Sequence, residues 1–213
     1  MAEAKAADFD AAHQATWHPT IRPKPAASVV IIKHVDGVPH FLMGQRAKSL
    51  AFMPGYLVFP GGRLERLDRS GTRLHPDCAQ RIGPLAHRLD ACGARELTEE
   101  TGLMLPDDMR IRYLARAITP PGHIRRYDTR FLACVVDASF GAPEAIQPQD
   151  DELDPIGWHA MRDLENAPIH RITGEVLREA MARLTFDPQL TGPTPDKVPC
   201  HRFRHGRAVI EPA

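Results

Sequence analysis

The order of apolar and polar residues predicts an α/β protein with a central mixed β-sheet and helices on both of its faces. Three observations carry this. Short apolar runs rich in β-branched residues, such as residues 28–33, alternate along the chain with long helical patterns. Residues 130–136 are apolar at both parities, as in a strand covered on two faces. Residues 85–101 contain no proline and stop at Gly102, the residue type that favours a helix C-terminus.

The elements follow in order. Residues 1–26 are rich in alanine and proline without an apolar period and predict a poorly ordered arm, with folding expected from Ala27. Residues 28–33 and 39–46 read as strands, and the Asp36-Gly37 pair between them is a hairpin signal. A third short run, 56–59, ends at Pro60-Gly61-Gly62, where the strand must turn. Residues 63–84 are polar and uneven, and no period can be read there. Beyond the helix, 109–118 alternates in part, Thr119-Pro120-Pro121-Gly122 is a turn, and 157–159 is a short strand. Ile172, Val176, Leu177, Ala180, Met181 and Leu184 form an apolar stripe that predicts a second helix. The chain from Phe186 is proline-rich and reads as a tail, 186–213, packed on or flanking one domain at 27–185.

Composition narrows the function. With 213 residues, 43% of them hydrophobic and 25% charged, the chain fits a single soluble domain carrying an insertion or tails. The longest aliphatic run, 29–32, is far too short to cross a bilayer, so no membrane partner is expected. Lys+Arg and Asp+Glu both total 27, leaving no net field to hold a nucleic acid. Phosphate binding must then be local, and arginine, with its planar fork, is the main cation available. Cys78, Cys92, Cys134 and Cys200 form no CxxC pair, and residues 1–5 lack a signal-peptide core, which together predict a cytoplasmic location.

The chemistry concentrates in the first helix. Glu96, Glu99 and Glu100 fall within an arc of about 100° on one helix face. They also sit in the last turns, at the negative end of the helix dipole, where each acid costs roughly 0.3–1 kcal/mol. Arg95 offsets part of this charge, and a hard divalent ion with oxygen ligands would resolve the rest. The competing reading is a solvated acidic face.

The segment Arg95-Glu96-Leu97-Thr98-Glu99-Glu100-Thr101-Gly102-Leu103, preceded by Phe59-Pro60-Gly61-Gly62, resembles the signature of the Nudix hydrolases. The resemblance implies a Nudix-type α/β/α sandwich. It also implies that Glu96, Glu99 and Glu100 hold Mg²⁺ or Mn²⁺, that one of them helps deprotonate water, and that Arg95 braces the helix. The first half of the signature departs from the pattern. Its glutamate position, counted from Gly62, holds Asp68, and 19 extra residues separate Gly62 from Arg95. Counted back from Arg95 the position is His87, so Asp68 or Glu65 is the candidate replacement. The Gly61-Gly62 turn permits close backbone approach to metal or phosphate.

Upstream, Leu42-Met43-Gly44-Gln45-Arg46-Ala47 and 55–62 look like the extra motif of coenzyme A diphosphatases, with Gly44 and Ala51 departing from it. Downstream, 118–122 and 125–131 are similar to the interrupted-box branch of that group. The expected function is therefore metal-dependent cleavage of the diphosphate linkage of a nucleoside diphosphate derivative. Coenzyme A or acyl-CoA leads, with ADP-ribose, NADH or another nucleotide as the alternative and a non-catalytic nucleotide sensor as the rival class. Arg46, Gly61, Gly62, Arg125 and Arg126 are the candidates for substrate contact, since guanidinium groups clasp phosphate oxygens in pairs. Glu152 is the candidate general base, and Arg130 reads as a structural ion pair. The expected partner is a small nucleotide, and a homodimer is left open.

Overall fold

The computed structural model describes residues 21–204 and 207–213. Most of the expected N-terminal arm, residues 1–20, lies outside them. The chain forms strands β1 (Lys24–Val35), β2 (Val38–Arg46), β3 (Leu57–Val58) and β4 (Gly61–Arg63), then helices α1 (Pro76–Ile82) and α2 (Ala86–Thr101). Strands β5 (Arg112–Ile118), β6 (Tyr127–Val135) and β7 (Leu153–Ala160), helix α3 (Arg171–Phe186) and strands β8 (Pro199–Arg204) and β9 (Arg207–Pro212) follow.

One mixed sheet runs in the order β3-β2-β1-β6-β5-β8-β9, with β4 on β1 and β7 on β2. Strand β1 is its axis. It pairs in parallel with β6 along its length and antiparallel with β2 and β4 at its other edge. Its side chains alternate between two cores, as period-two geometry demands. Ala27, Val29 and Ile31 join Leu89 and Leu97 of α2 on one face. Val30 and Ile32 join Val176, Leu177, Ala180 and Leu184 of α3 on the other. The predicted α/β class, with helices on both faces, is what the chain adopts.

Several boundaries differ from expectation for physical reasons. The first strand begins at Lys24, not near Ala27, because β6 is long enough to pair with it from Tyr127 onward. The strand expected at 56–59 is short, and the chain does not simply leave the sheet at Pro60. It changes partner, so that Gly61 and Gly62 pair with Ser28 and Ala27 of β1. The insertion contains α1, which starts with Pro76 and carries Asp77 in its first turn. Those signals were present but too short to stand out as a period. The proline-rich tail supplies β8, parallel to β5, and the edge strand β9.

Helix α2 matches its predicted span within one residue. It ends at Gly102, whose φ of 76° is left-handed and whose N–H donates to Thr98 O at 2.8 Å. A Cβ at this position would lie 2.4 Å from Gln147 O. Gly102→Ala is therefore expected to cost more than about 1 kcal/mol, because strained backbone and a clash act together. A lowered denaturation midpoint in urea checks this.

Candidate active site

A cleft of about 730 Å³ opens beside the C-terminal half of α2. Its floor is the turn between β3 and β4. Glu100 is only 2% exposed, and its Oε2 accepts the Gly61 N–H at 2.7 Å. Glu96 lies so close to the same turn that a Cβ on Gly62 would stand 2.3 Å from its Oε1. Gly61 is equally constrained, since a Cβ there would meet Ala27 O at 2.4 Å. Gly61 is thus required by its approach to backbone, whereas at Gly62 a side chain would meet the Glu96 carboxylate, and both line the cleft.

Arg95 ties the acidic cluster together. Its Nε and Nη2 donate to Asp68 Oδ1 and Oδ2 at 2.9 and 3.2 Å, a bidentate pair. Its Nη1 reaches Glu99 Oε2 at 2.8 Å and Glu96 Oε1 at 2.9 Å. Of the two acids considered for the departed box position, Asp68 is the one that meets Arg95. Asp68 is 3% exposed and also accepts the Glu65 N–H at 2.7 Å. Burial pushes its carboxyl up, but the bonds from Arg95 and Glu65 outweigh that and hold it below the ordinary carboxylate range. Glu65 pairs outward with Arg63 at 3.2 Å, and His87 Nδ1 sits 2.9 Å from Gly71 O, away from Arg95. The inserted residues therefore leave the sequence between Asp68 and Arg95 without separating the two side chains.

The carboxylates are electrostatically frustrated. Burial lifts Glu96 to about 7, with the charges of Glu99 and Glu152 adding to it against Arg95. Burial lifts Glu100 to about 8, helped by Glu96 and Glu152 and opposed by the Gly61 N–H and Arg46. Glu152, just before β7, thus faces both buried acids across the cleft. Its side chain is about half exposed and meets Arg46 Nη2 at 3.5 Å.

The three nominated arginines differ in what they touch. Arg46 donates from Nε to Phe52 O at 2.9 Å as well as meeting Glu152, so it is already engaged. Arg126 donates to Thr119 O and Ile21 O at 3.1 and 2.7 Å. Arg125 is exposed, lines the cleft and has no ion pair among the described residues. Arg130 forms the expected ion pair, with Asp128 at 2.8 Å. The tail contributes His201, Arg202 and Phe203 to the cleft wall, a role that the polar, proline-rich sequence gave no period to reveal.

Among the described residues no three His, Cys, Asp or Glu side chains close into a ready-made ion cage. The donor chemistry fits a hard cation nonetheless. Glu96, Glu99 and Glu100 offer carboxylate oxygens beside a glycine turn, and Arg95, which also serves Asp68, neutralises only part of their charge.

The NUDIX domain model matches residues 22–180. The chain belongs to the Nudix family. Its enzymatic class is that of a Nudix pyrophosphatase, and Nudix hydrolases generally use divalent metal ions. A Nudix hydrolase from Alicyclobacillus acidocaldarius is similar in structure, with 24% identity, TM-score 0.67, and 82% of this chain and 98% of that chain covered. The Nudix domain of Shewanella oneidensis NrtR, solved with ADP ribose, has 18% identity, TM-score 0.58 and the same coverages. A Caenorhabditis elegans Ap4A hydrolase has 14% identity and TM-score 0.54, with 76% of this chain and 98% of that chain covered. These likenesses are likenesses of fold. No curated protein sequence matches the chain.

Two outcomes follow for this Nudix protein. Asp68→Asn is expected to lower stability by about 1–3 kcal/mol by weakening a buried charged hydrogen-bond pair, whereas Glu65→Gln stays within about 0.5 kcal/mol. Urea unfolding of the two variants compares them. Between about pH 5 and 8 the metal-free folded state holds protons on Glu96 and Glu100 that the unfolded chain has released. A divalent ion held by these carboxylates would have to displace them. The rise in melting temperature on adding Mg²⁺ is therefore expected to grow from about pH 6 to about pH 8.5. Thermal scans at both pH values measure it, and a pH-independent rise would contradict the assignment.

Proposed function

We propose that this Nudix protein hydrolyses the diphosphate linkage of a nucleoside diphosphate derivative, releasing a nucleoside monophosphate and the remaining phosphoryl product. One observation carries the reading: Glu96, Glu99 and Glu152 line a single cleft, Glu100 lies buried against its glycine turn, and Arg95 and Asp68 fix the helix that bears three of the four. Glu96, Glu99 and Glu100 are the residues that would hold Mg²⁺ or Mn²⁺. Such an ion, when held there, would supply charge neutralisation on the diphosphate and acidify the attacking water.

The remaining work falls to the chain. Arg95 keeps Glu96 and Glu99 in fixed rotamers, and the Gly61 N–H does the same for Glu100. Glu152, on the facing loop and open to solvent, is placed to accept the proton of the attacking water. Arg46 holds Glu152 while its own orientation is fixed by Phe52 O. Arg125, exposed on the cleft wall, is the arginine available to a phosphoryl oxygen, and Arg126 beside it is held by Thr119 O and Ile21 O.

Coenzyme A or an acyl-CoA is the leading substrate, from the motif at 42–62, with ADP-ribose, NADH or a related dinucleotide as the alternative. Gly44, one departure from that motif, has a packing reason: a Cβ there would lie 2.7 Å from the Leu153 Cβ. No helix among the described residues is long and apolar enough to cross a membrane.

Phosphorus NMR of the protein with Mg²⁺ and each of coenzyme A, ADP-ribose and NADH tests the reading. New monophosphate signals are expected, and Glu99→Gln and Glu100→Gln should each lose roughly 10²–10⁴-fold in turnover while remaining folded. Saturable binding without cleavage would assign the protein as a sensor instead.

A further inference from the structure

Two stretches of the chain depart from the family pattern: the residues inserted between Gly62 and Arg95, and the tail that follows residue 180, where the family match stops. In the fold they meet along the outer edge of β5. The insertion takes the first part of that edge. Just before β5 the Ile111 N–H donates to Arg73 O at 2.9 Å, and Ile111 O accepts the His75 N–H at 3.1 Å. The Tyr113 N–H donates to Cys78 Sγ of α1 at 3.2 Å. Strand β8 takes over only at Arg116 and Ala117, opposite Cys200 and His201. Its residues His201, Arg202 and Phe203 then line the cleft.

Between α3 and β8 the chain crosses from one core to the other, with Leu190 buried on the α3 side of the sheet and Val198 on the α2 side. Buried backbone outside a ladder needs side-chain partners, and two residues supply them. Asp77, in the first turn of α1, accepts the Thr194 N–H on Oδ2 at 2.8 Å. Its Oδ1 meets His75 Nδ1 at 2.5 Å and faces Arg112 Nη1 at 3.5 Å. Arg112, at the start of β5 and 5% exposed, donates from Nε to Leu190 O at 2.9 Å and from Nη2 to Thr191 O. Burial pushes the Asp77 carboxyl up, but the bonds from Thr194 and His75 outweigh that and hold it well below the usual carboxylate range. Cys78 Sγ lies 2.9 Å from Thr194 Oγ1, and Arg81 donates to Asp196 O at 2.9 Å, so three residues of α1 touch the crossing segment. Neither Asp77 nor Arg112 lines the cleft.

We propose that the insertion is the seat of the tail, and that Asp77 and Arg112 are positioning residues which set, through residues 190–194, where the β8 wall of the cleft stands. The two departures from the family pattern then serve one purpose, because the wall that the tail adds has a fixed place only where α1 holds the segment leading to it. The carboxylates of α2 keep their own supports, Arg95 and Asp68. Loosening the tail therefore alters what the cleft grips and leaves the groups that act on the diphosphate in place. This last consequence rests on the diphosphohydrolase reading, whereas the seating of the tail does not.

Hydrogen–deuterium exchange of the full chain tests the seat. In Asp77→Ala the amides of 199–204 and 208–211 are expected to exchange about tenfold or more faster, while those of β1 and β6 keep their protection. Asp77→Asn keeps an acceptor for the Thr194 N–H but loses the charge facing Arg112, and a smaller acceleration in the same residues is expected; it carries the comparison alone if the alanine variant does not fold. Acceleration throughout the sheet in Asp77→Asn, or an unaltered tail in both variants, would overturn the proposal. With whichever of coenzyme A, ADP-ribose and NADH the protein cleaves, KM is expected to rise about fivefold or more in the folded variant with the looser tail, with kcat within about twofold. A fall in kcat at unchanged KM, or unaltered kinetics beside a loosened tail, would overturn the positioning role. Absence of turnover on all three nucleotides removes the hydrolase assignment and leaves exchange to decide the seat.

Discussion

Everything at the site depends on one guanidinium. Three glutamates at the C-terminal end of a helix oppose the helix dipole and each other, and burial of two of them makes the arrangement worse. Arg95 is the group that lets them stay. It holds Glu96 and Glu99 from the same helix and is itself held by Asp68 from the other side. Asp68 keeps its charge in spite of burial because both its oxygens are engaged. The pairing turns a repulsive cluster into an ordered one without satisfying it, and the unsatisfied remainder is what suits it to a cation.

The constraint reaches the sheet. For Glu100 to meet the Gly61 N–H, the β3–β4 turn must lie against α2, and a Cβ at 61 would collide with the β1 backbone that holds the turn there. The turn in turn is held by pairing of Gly61 and Gly62 with β1, so the central strand of the fold sets the distance between the carboxylates and the opposite wall. Gly93, near the middle of α2, contributes similarly, because a Cβ there would stand 2.8 Å from Val29 Cγ2 and push the helix off the sheet.

Much of this was legible in the sequence. The period of α2, its glycine stop and the nine-residue signature locate the acids, and the apolar run at 130–136 foretells a strand covered on both faces, as Phe131 and Ala133 in one core and Leu132 and Cys134 in the other bear out. Three things were not. Asp68 and Glu65 are both acids near the right position, and only the fold decides that one faces Arg95 while the other faces solvent. The arginines at 46 and 126 carry the right charge, but whether a guanidinium is free depends on carbonyls from Phe52, Thr119 and Ile21 that no pattern announces. Strands β8 and β9 are short and polar, and they exist because β5 offers an open edge, a property of the assembled sheet.

The position of β1 also has a consequence for the order in which the molecule can be assembled during synthesis. Its hairpin with β2 can close as soon as residue 46 has emerged, but its other edge pairs in parallel with β6, residues 127–135. Until those residues leave the ribosome, the central strand, with its apolar run at 29–32, has a bare edge, the kind of surface on which neighbouring chains aggregate. Parallel pairing across so long a stretch is also slow to form. Nascent chains stalled before β6 are the state in which this fold is most exposed to loss, and the helix that bears the acids is already made by then, with only the β1–β2–β4 part of the sheet to hold it.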